Sequence, residues 1–255
     1  MTNGSSQSPV LRVENLDLSY GDYEVLSGVS FEVQDGSCLV VMGGSGCGKS
    51  TLLKSLVGLL EPSGGEVFFG SSNLWASSQE DSEAILRGVG VLFQGGALWS
   101  AMNLLENVSL PLETYTELSD SEIARVAEYK LGLVGLSGYE EFYPSQLSGG
   151  MKKRAGLARA MALDPQILFF DEPSAGLDPL SSRRLDDLIN ELKESLGITF
   201  VVVSHELASI FEIADDSIFL DAKSKTLLQQ GSPAWLLDNS EHDHVRSFLS
   251  RDSSS

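Results

Sequence analysis

The chain has 255 residues, 42% of them hydrophobic, and a formal net charge of -19. This length and hydrophobic content suffice for one large domain with its own core, and they exclude a disordered or fibrous protein. The acidity argues against binding nucleic acid or anionic lipid through charge, because both need a basic face.

Cysteine use and the apolar runs indicate a cellular compartment. Cys38 and Cys47 are the only cysteines, and both lie at one predicted strand and the loop after it, so they form no disulfide framework and indicate a reducing environment. The longest apolar runs, such as residues 198–203, have the length of a strand and fall short of the roughly 20 residues of a membrane-spanning helix. We therefore expect a cytoplasmic protein that reaches a membrane only through a partner.

The sequence patterns alternate between strand and helix. In chain order they predict antiparallel strands within residues 10–33, a buried strand at 38–42, a helix at 50–60, strands at 66–69 and 89–93 around a helix at 81–87, helices at 104–112, at 120–131 and after Gly149, a strand at 167–170, a helix at 180–196, a strand at 199–203, strands near Ile218 and Leu227, and two short helices. This order is typical of an α/β protein with a mostly parallel sheet, interrupted by a helical insert. Residues 10–249 would form one domain, with 1–9 and 250–255 as flexible tails.

A glycine-rich loop follows the strand predicted at residues 38–42. Residues 43–50, GGSGCGKS, match the pattern GxxxxGK[ST]. In such a loop the backbone N–H groups wrap the β-phosphate, Lys49 spans the β- and γ-phosphates, and the Ser50 hydroxyl holds Mg²⁺. The remaining predicted nucleotide contacts here are Gly43, Gly44, Ser45, Gly46, Cys47, Gly48 and Thr51.

Two questions stay open for this loop on the sequence alone. A glycine-rich turn with an incidental lysine is the alternative to a phosphate site, and the loop does not separate kinases, GTPases and ATPases. The thiol of Cys47 fits either a small filler or a redox sensor beside the nucleotide.

Two adjacent acids end the strand predicted at residues 167–170. Ligands bind at the carboxyl ends of strands in open α/β sheets. We expect Asp171 to secure Mg²⁺, directly or through its waters, and Glu172 to polarise the attacking water. The alternative is a solvated acid pair; Pro173 and the turn at residues 174–178 argue against it by holding the segment in place.

Three further side chains come at strand ends. Gln94 follows residues 89–93, where its amide would reach the metal or the lytic water; an ordinary loop glutamine is the alternative. His205 follows the strand at 199–203, where it would contact the γ-phosphate and help hold the water, although a lone histidine is usually structural. Tyr20 would offer its ring to adenine, with packing inside the hairpin as the alternative.

A second phosphate-gripping element occurs at Ser148, Gly149 and Gly150, which begin a predicted helix. The glycines let backbone N–H groups approach a phosphate, and the helix dipole favours an anion. The basic residues 152–154 that follow are interpreted as a solvated face. Since the chain has the machinery for one nucleotide, two such elements predict an ATP held between two copies of the protein.

Six features follow one another along the chain: the loop at residues 43–50, Gln94, LSGGM at 147–151, ILFFDE at 167–172, SAGLD at 174–178 and His205. In this order they resemble those of an ATP-binding-cassette (ABC) ATPase subunit. The resemblance implies the P-loop NTPase fold, with a RecA-like core and an antiparallel β subdomain in residues 10–94 and 164–231 and a helical subdomain at 95–163. It also implies ATP and Mg²⁺ as cofactors, a signature turn of one subunit that grips the γ-phosphate held by the other, and a coupling role for Asp178.

Residues 92–112, 147–165 and 203–215 are similar to the ATPases of Mla/Mce-type phospholipid transporters, including Met151 where most ABC ATPases have glutamine. This implies a homodimer on the cytoplasmic face of a bacterial inner membrane, bound to permease subunits. An Mce-type lipid-binding subunit is a further implied partner, and a small accessory protein is a candidate. The phospholipid would be moved by the complex and not bound by this chain, and no nucleic acid would be bound.

The permease would dock beside Gln94, with Leu98, Trp99, Met102 and Leu104 as candidate groove walls; core of the helical insert is the alternative for these four. Rival functions are an ABC ATPase for another substrate, such as a small molecule or solvent, and a soluble ABC protein acting on ribosomes or DNA. The single cassette and the acidity argue against the latter. A nucleotide-gated module without turnover is disfavoured by the presence of both predicted catalytic groups, an acid and a histidine.

Overall fold

A computed structural model describes residues 9–250, so the tails predicted at residues 1–9 and 250–255 lie outside the described residues except for their innermost positions. The elements, in chain order, are β1 (Leu11–Tyr20), β2 (Tyr23–Val33), β3 (Cys38–Gly43), α1 (Lys49–Leu56), β4 (Gly64–Phe69), β5 (Ser72–Asn73), α2 (Gln79–Arg87), β6 (Val89–Leu92), α3 (Leu104–Tyr115), α4 (Asp120–Leu133), a 3-10 helix (Pro144–Gln146), α5 (Gly149–Ala160), β7 (Ile167–Asp171), α6 (Pro179–Leu196), β8 (Thr199–Val203), α7 (Leu207–Ile213), β9 (Asp216–Asp221), β10 (Thr226–Gly231), α8 (Pro233–Asn239) and α9 (Asp243–Leu249).

The strands form two sheets. One has the order β10-β9-β3-β8-β7-β6, and the other has the order β2-β1-β4-β5. In the larger sheet all neighbouring pairs are parallel except β9 with β10, whereas the smaller sheet is antiparallel. The predicted α/β class, with a mostly parallel core and an antiparallel β part, is confirmed.

Strand β3 lies inside the larger sheet and is buried along its whole length. Its side chains alternate between two apolar layers. Val40 and Met42 belong to the layer under α3 to α9, and Leu39 and Val41 belong to the layer that contacts the smaller sheet and α1. Burial on both faces explains why this strand is a continuous apolar run, and polar residues can follow only at its end.

Helices α3, α4 and α5 pack together beside the sheet. On α3, Leu104, Val108 and Leu112 recur every four residues and are buried, which is the stripe expected of a core-facing helix. Asn103 and Glu106 form a capping box at its start, so two backbone N–H groups that the helix leaves unpaired are satisfied. The boundaries of a separate helical subdomain at residues 95–163 stay a prediction.

The prediction that the first helix reaches about Leu60 is wrong, because α1 ends at Leu56. Gly58 has a φ of 77°, and the Leu59 N–H donates to the Lys54 carbonyl at 2.8 Å. This is the 6→1 bond of a Schellman motif, which glycine adopts without steric cost. The sequence carries this signal in Gly58, four residues before Pro62.

The sequence patterns do not predict three of the described elements, the seven-residue helix α7, the 3-10 helix and the two-residue strand β5. All three are too short for a periodic pattern to stand out. Within residues 9–250, every helix is too short or too polar to span a bilayer.

Candidate nucleotide site

The carboxyl ends of three neighbouring parallel strands meet at one edge of the larger sheet. Val203 at the end of β8 pairs with Asp171 on one side and with Val41 on the other. The glycine-rich loop after β3, Glu172 after β7 and His205 after β8 therefore start from the same place. This is where ligands bind in open α/β sheets.

A cavity of about 750 Å³ opens at this edge, within the range of small-molecule sites. Its lining includes most of the predicted nucleotide and catalytic residues: Tyr20, Gly43, Gly44, Ser45, Gly46, Gly48, Lys49, Ser50, Thr51, Glu172 and His205. Side chains from three strand ends and from the hairpin thus face one space large enough for a nucleotide.

The loop itself takes a shape that only glycine permits at two points. Gly43 has a φ of 147°, and a Cβ there would lie 2.3 Å from the Leu220 carbonyl oxygen. Gly48 has a φ of 99°, and a Cβ there would lie 2.9 Å from Cγ of Leu26. The loop ends at the N-terminus of α1, whose first backbone N–H groups have no partner within the helix. Such an end favours a phosphate.

Lys49 and Cys47 play different parts in the loop. Lys49 is 9% exposed, and its Nζ donates to the carbonyl oxygens of Gly43 at 2.9 Å and Gly44 at 3.1 Å. These contacts hold the ammonium at the cavity wall. The Cys47 thiol is buried, and burial raises the pKa of this thiol. Because the thiol is buried, the small-filler interpretation of Cys47 is favoured over a redox sensor.

Ser50 and Asp171 connect the loop to strand β7. The Ser50 hydroxyl donates to Oδ1 of Asp171 at 3.3 Å. Burial raises the pKa of Asp171, and the hydrogen bond from Ser50 acts in the opposite direction. A hydroxyl and a carboxylate are the oxygen ligands that Mg²⁺ takes beside phosphates and water. Ser50 and Asp171 supply two such oxygens, so this donor set fits a Mg²⁺ that takes its other ligands from phosphate and water.

Glu172 and His205 form a contacting pair. Oε1 of Glu172 lies 3.0 Å from Nδ1 of His205. The φ of Glu172 is 47°, a left-handed conformation that costs a non-glycine residue about 1 kcal/mol or more. Its N–H donates to the Val203 carbonyl at 2.9 Å, which anchors it to β8. A strained acid next to an imidazole is an arrangement found at catalytic sites.

Four predicted parts of the site are not in the cavity lining: Cys47, Asp171, Gln94 and the turn at residues 148–150. Gln94 is exposed, and its backbone carbonyl accepts a hydrogen bond from Lys153. The turn Ser148, Gly149 and Gly150 lies largely exposed at the start of α5, where the Ser148 hydroxyl caps the helix. The roles of Gln94 and of this turn stay predictions, because neither lines the cavity around the loop.

The interpretation of residues 152–154 as a solvated face is wrong for two of the three. Lys153 is 6% exposed, and Nη1 of Arg154 donates to the carbonyl oxygens of Val134 at 2.7 Å and Gly135 at 3.1 Å. Helix α5 packs against the sheet and against α3 and α4, so side chains from several of its faces are covered. Only Lys152, half-buried, still fits the prediction.

Sequence reasoning missed three cavity residues, Tyr23, Val25 and Phe248. Tyr23 pairs with Tyr20 across the hairpin turn, a register that the turn would have indicated. Phe248 comes from α9 at the other end of the chain, and no local pattern points to it. His244, on the same helix, places its Nδ1 3.2 Å from Oδ1 of Asp221.

Comparison with known proteins decides the family. The family model described as ABC transporter matches residues 26–175, more than half of the chain, and this range contains the loop, the signature turn and both acids. The chain belongs to the ABC transporter family of ATPases. The resemblance seen in the sequence is thereby confirmed, and so is the enzyme class.

Individual relatives of this ABC ATPase carry two kinds of name. The "Intermembrane phospholipid transport system ATP-binding protein MlaF" of Escherichia coli K12 is 39% identical over 245 residues, which is 95% of this chain and 90% of the relative. The "Probable ribonucleotide transport ATP-binding protein mkl" of Mycobacterium tuberculosis H37Rv is 38% identical over 248 residues, 97% of this chain and 68% of the relative. The ABC ATPase is thus similar to members of more than one named system.

Among solved structures, the ATP-binding cassette MJ0796, a dimer in a post-hydrolysis state bound to ADP and Pi, matches with a TM-score of 0.78 and 29% identity. The match covers 87% of this chain and 98% of MJ0796. The fold of this ABC ATPase is therefore that of a cassette that binds nucleotide as a dimer.

Proposed function

We propose that this ABC ATPase is the ATP-hydrolysing subunit of a Mla-type phospholipid transporter, bound at the cytoplasmic face of a bacterial inner membrane. The observation that carries the proposal is its 39% identity to MlaF over 95% of the chain and 90% of the relative. The comparable identity to mkl keeps a ribonucleotide transporter as the second candidate. Transport of another small molecule is the remaining alternative.

The residues at the cavity support a hydrolytic mechanism. Lys49 binds the phosphates from the loop, and Ser50 and Asp171 hold Mg²⁺, which when bound neutralises charge on the β- and γ-phosphates. Glu172 accepts a hydrogen bond from the attacking water and polarises it. His205, 3.0 Å from the Glu172 carboxylate, keeps this acid oriented and lies where it can contact the γ-phosphate. Tyr20 and Tyr23, both on the cavity wall, supply ring faces for adenine.

A second copy of the chain completes each site in this proposal. Ser148, Gly149 and Gly150 are largely exposed and offer helix N-terminal amides away from their own cavity. The γ-phosphoryl group needs positive potential on more than one side, and the partner's signature amides supply the far side. The dimeric form of MJ0796 supports this arrangement. Closure of the dimer and hydrolysis then become coupled events.

The permease fits a groove at the end of β6. A cavity of about 510 Å³ lies between α2, α3 and α5, with walls that include Phe93, Ala97, Tyr115 and Arg159. None of the four predicted walls lines this cavity. Leu104 is fully buried in the core, and Leu98 packs against that core. Phe93 and Gly96, on either side of Gln94 in the chain, do line the groove.

Co-purification tests the transporter assignment. The tagged chain is extracted from membranes in mild detergent, and its partners and bound lipid are identified by mass spectrometry. We expect a permease with an Mce-type subunit, phospholipid, and a small accessory protein if the system has one. Recovery of a ribonucleotide or small-molecule permease without lipid would overturn the phospholipid assignment while leaving the ATPase intact.

Two tyrosine variants test the docking groove in the same experiment. Tyr115 is 56% exposed and lines the groove, and Tyr129 is 58% exposed on α4 outside it. Each ring lies close to a basic side chain. Tyr115→Asp should lose the permease because a charge enters the interface, whereas Tyr129→Asp should retain it. Equal retention by both would exclude this groove.

A further inference from the structure

The buried ammonium of Lys153 has no part in the mechanism described so far. Lys153 lies on α5, is 6% exposed, and donates from Nζ to the Gln94 carbonyl oxygen at 2.5 Å and to the Glu172 carbonyl oxygen at 3.3 Å. Burial lowers the pKa of this ammonium, while the charges of Asp171 and Glu172 act in the opposite direction. Removing an ammonium from water is costly, and neutral carbonyl groups offset that cost only in part.

One of the two carbonyl groups that Lys153 contacts belongs to Glu172, whose backbone is strained. Glu172 has a left-handed φ of 47°, and such a conformation persists only where the surroundings determine it. Its N–H is held by the Val203 carbonyl, and its carbonyl accepts from the Ala175 N–H at 3.2 Å. The Lys153 ammonium adds a charged donor to this carbonyl. This backbone sets where the Glu172 side chain starts, and the contact of its Oε1 with Nδ1 of His205 at 3.0 Å orients the carboxylate.

We propose that Lys153 is a positioning residue for ATP hydrolysis, whose ammonium fixes the backbone of Glu172 and ties it to Gln94. The inference rests on the proposed role of Glu172 as the acid that polarises water. Lys153 touches neither water nor nucleotide in this account. Its effect is on the geometry of the acid, so it acts on the rate of the chemical step and leaves nucleotide binding unchanged.

The same helix face links the acid to the permease groove. A Cβ on Gly156 would lie 2.6 Å from the Gly96 carbonyl oxygen, and Arg159 donates to the Ala97 carbonyl oxygen. Lys153, Gly156 and Arg159 are three residues apart on α5, so one face of the helix follows the segment after β6. Gly96 and Ala97 line the groove. A displacement of this segment therefore reaches Glu172 through the Lys153 ammonium.

The test measures ATP hydrolysis and ATP affinity of the full chain carrying Lys153→Met, which keeps the length of the stem and removes the donor. We expect kcat to fall by at least ~10-fold with ATP affinity within about twofold of wild type. Lys153→Arg, which restores a charged donor, should recover most of the lost rate. Lys152→Met is the matched control: Lys152 is half-buried, its side chain donates no hydrogen bond within residues 9–250, and the variant should behave as wild type.

The outcomes separate this inference from the proposed function. Unchanged kcat in folded Lys153→Met, or a parallel loss of ATP affinity and thermal stability that Lys153→Arg does not reverse, would overturn the positioning role. If Lys153→Met does not fold, Lys153→Leu replaces it, and a folded Leu variant with wild-type kcat has the same consequence. Glu172→Gln is measured alongside: if that variant keeps its turnover, the role of Glu172 fails first.

Discussion

The two acids at the end of β7 are neighbours in the chain, yet their surroundings divide their work. Asp171 accepts from the Ser50 hydroxyl of the glycine-rich loop, and Glu172 contacts His205 from the next strand. Asp171 is the last residue of β7, whereas Glu172 lies beyond it with a left-handed φ of 47°, so the two acids reach different segments, the phosphate loop and His205. These contacts support the proposed metal-side role of Asp171 and water-side role of Glu172.

Glu172→Gln tests the water-side role at the scale of one atom. The amide keeps the size of the side chain but does not accept a proton, so kcat should fall by at least ~10²-fold. Because the phosphate contacts are untouched, ATP affinity should remain, and ATP should hold the variant as a dimer. Steady-state hydrolysis, nucleotide titration and size-exclusion chromatography measure these three quantities. Near-normal turnover would contradict the assignment, and Glu194→Gln on the exposed side of α6 serves as the control.

Helices α6 and α7 both begin just beyond the site and contact each other through polar groups. The buried Asp186 on α6 accepts from the Ser209 hydroxyl at 2.8 Å, and Asn190, one turn later, donates to the Glu212 carbonyl oxygen at 3.2 Å. Burial raises the pKa of Asp186 to about 6, with a smaller contribution from nearby acids including Glu206 and Glu212. This pair of helices therefore contains a carboxylate whose ionisation opposes folding.

The pH dependence of unfolding tests this element. The ordinary pKa of the carboxyl is 3.8, below the folded value of about 6, so the folded state binds the proton more tightly. The stability that Asp186 contributes is complete below the unfolded pKa and is lost as pH rises through about 6. Asp186→Asn should raise the free energy of unfolding at pH ~8 by ~2 kcal/mol. It should also flatten the slope between pH ~4 and ~6, where the two states differ in bound protons.

Denaturant unfolding across this pH range gives the measurement. Asp187→Asn is the matched control, because Asp187 is the next residue on the same helix and is exposed. A variant at Asp186 that shows the wild-type slope, or is destabilised at high pH, would show that the carboxylate is stabilised in the folded state and not penalised by burial.

At the scale of the whole molecule, the proposed composite site requires two parts that one chain keeps apart. The cavity with Lys49 and Glu172 is on one part of the surface, and the signature turn is outside its lining. A composite site explains why the chain carries both. It also makes a prediction that no single-chain site shares, because two defects in different halves complement each other in a mixed dimer.

Complementation between inactive variants tests the composite site. Lys49→Ala removes the phosphate lysine, and Gly149→Asp puts a negative charge at the signature turn, where an added Cβ would meet only ordinary contact with Leu177 at 3.4 Å. Each variant alone should be inactive. An equimolar mixture should recover about a quarter of wild-type hydrolysis, since about half of the dimers are mixed and each has one intact site.

The control mixture pairs Lys49→Ala with Glu172→Gln. Both defects lie in the same half of the site, so each cavity of a mixed dimer stays defective and no activity should return. Pull-down with two different tags measures mixed dimers in both experiments. Mixed dimers that form but remain inactive in the first mixture would refute the shared site.

The sequence by itself determined the fold class, the cavity's strand-end residues and the family. The glycine-rich loop begins at the end of β3, Asp171 ends β7 and Glu172 comes next, and His205 lies two residues past β8. Local spacing is enough to place a residue at a strand end. Because parallel strands bring their carboxyl ends to one edge, strand order then assembles these residues without further information.

Only the tertiary structure decided what depends on contacts between distant segments. Phe248 reaches the cavity from α9, Lys153 is buried against Gln94 and Glu172, and Leu104 is core and not groove. From the sequence alone, a basic residue on a helix is expected to be exposed to solvent. Whether it is buried depends on which distant segments pack against the helix, and the local sequence does not show this. The chemical groups of the site could therefore be identified from the sequence, whereas the burial of individual side chains could be determined only from the folded structure.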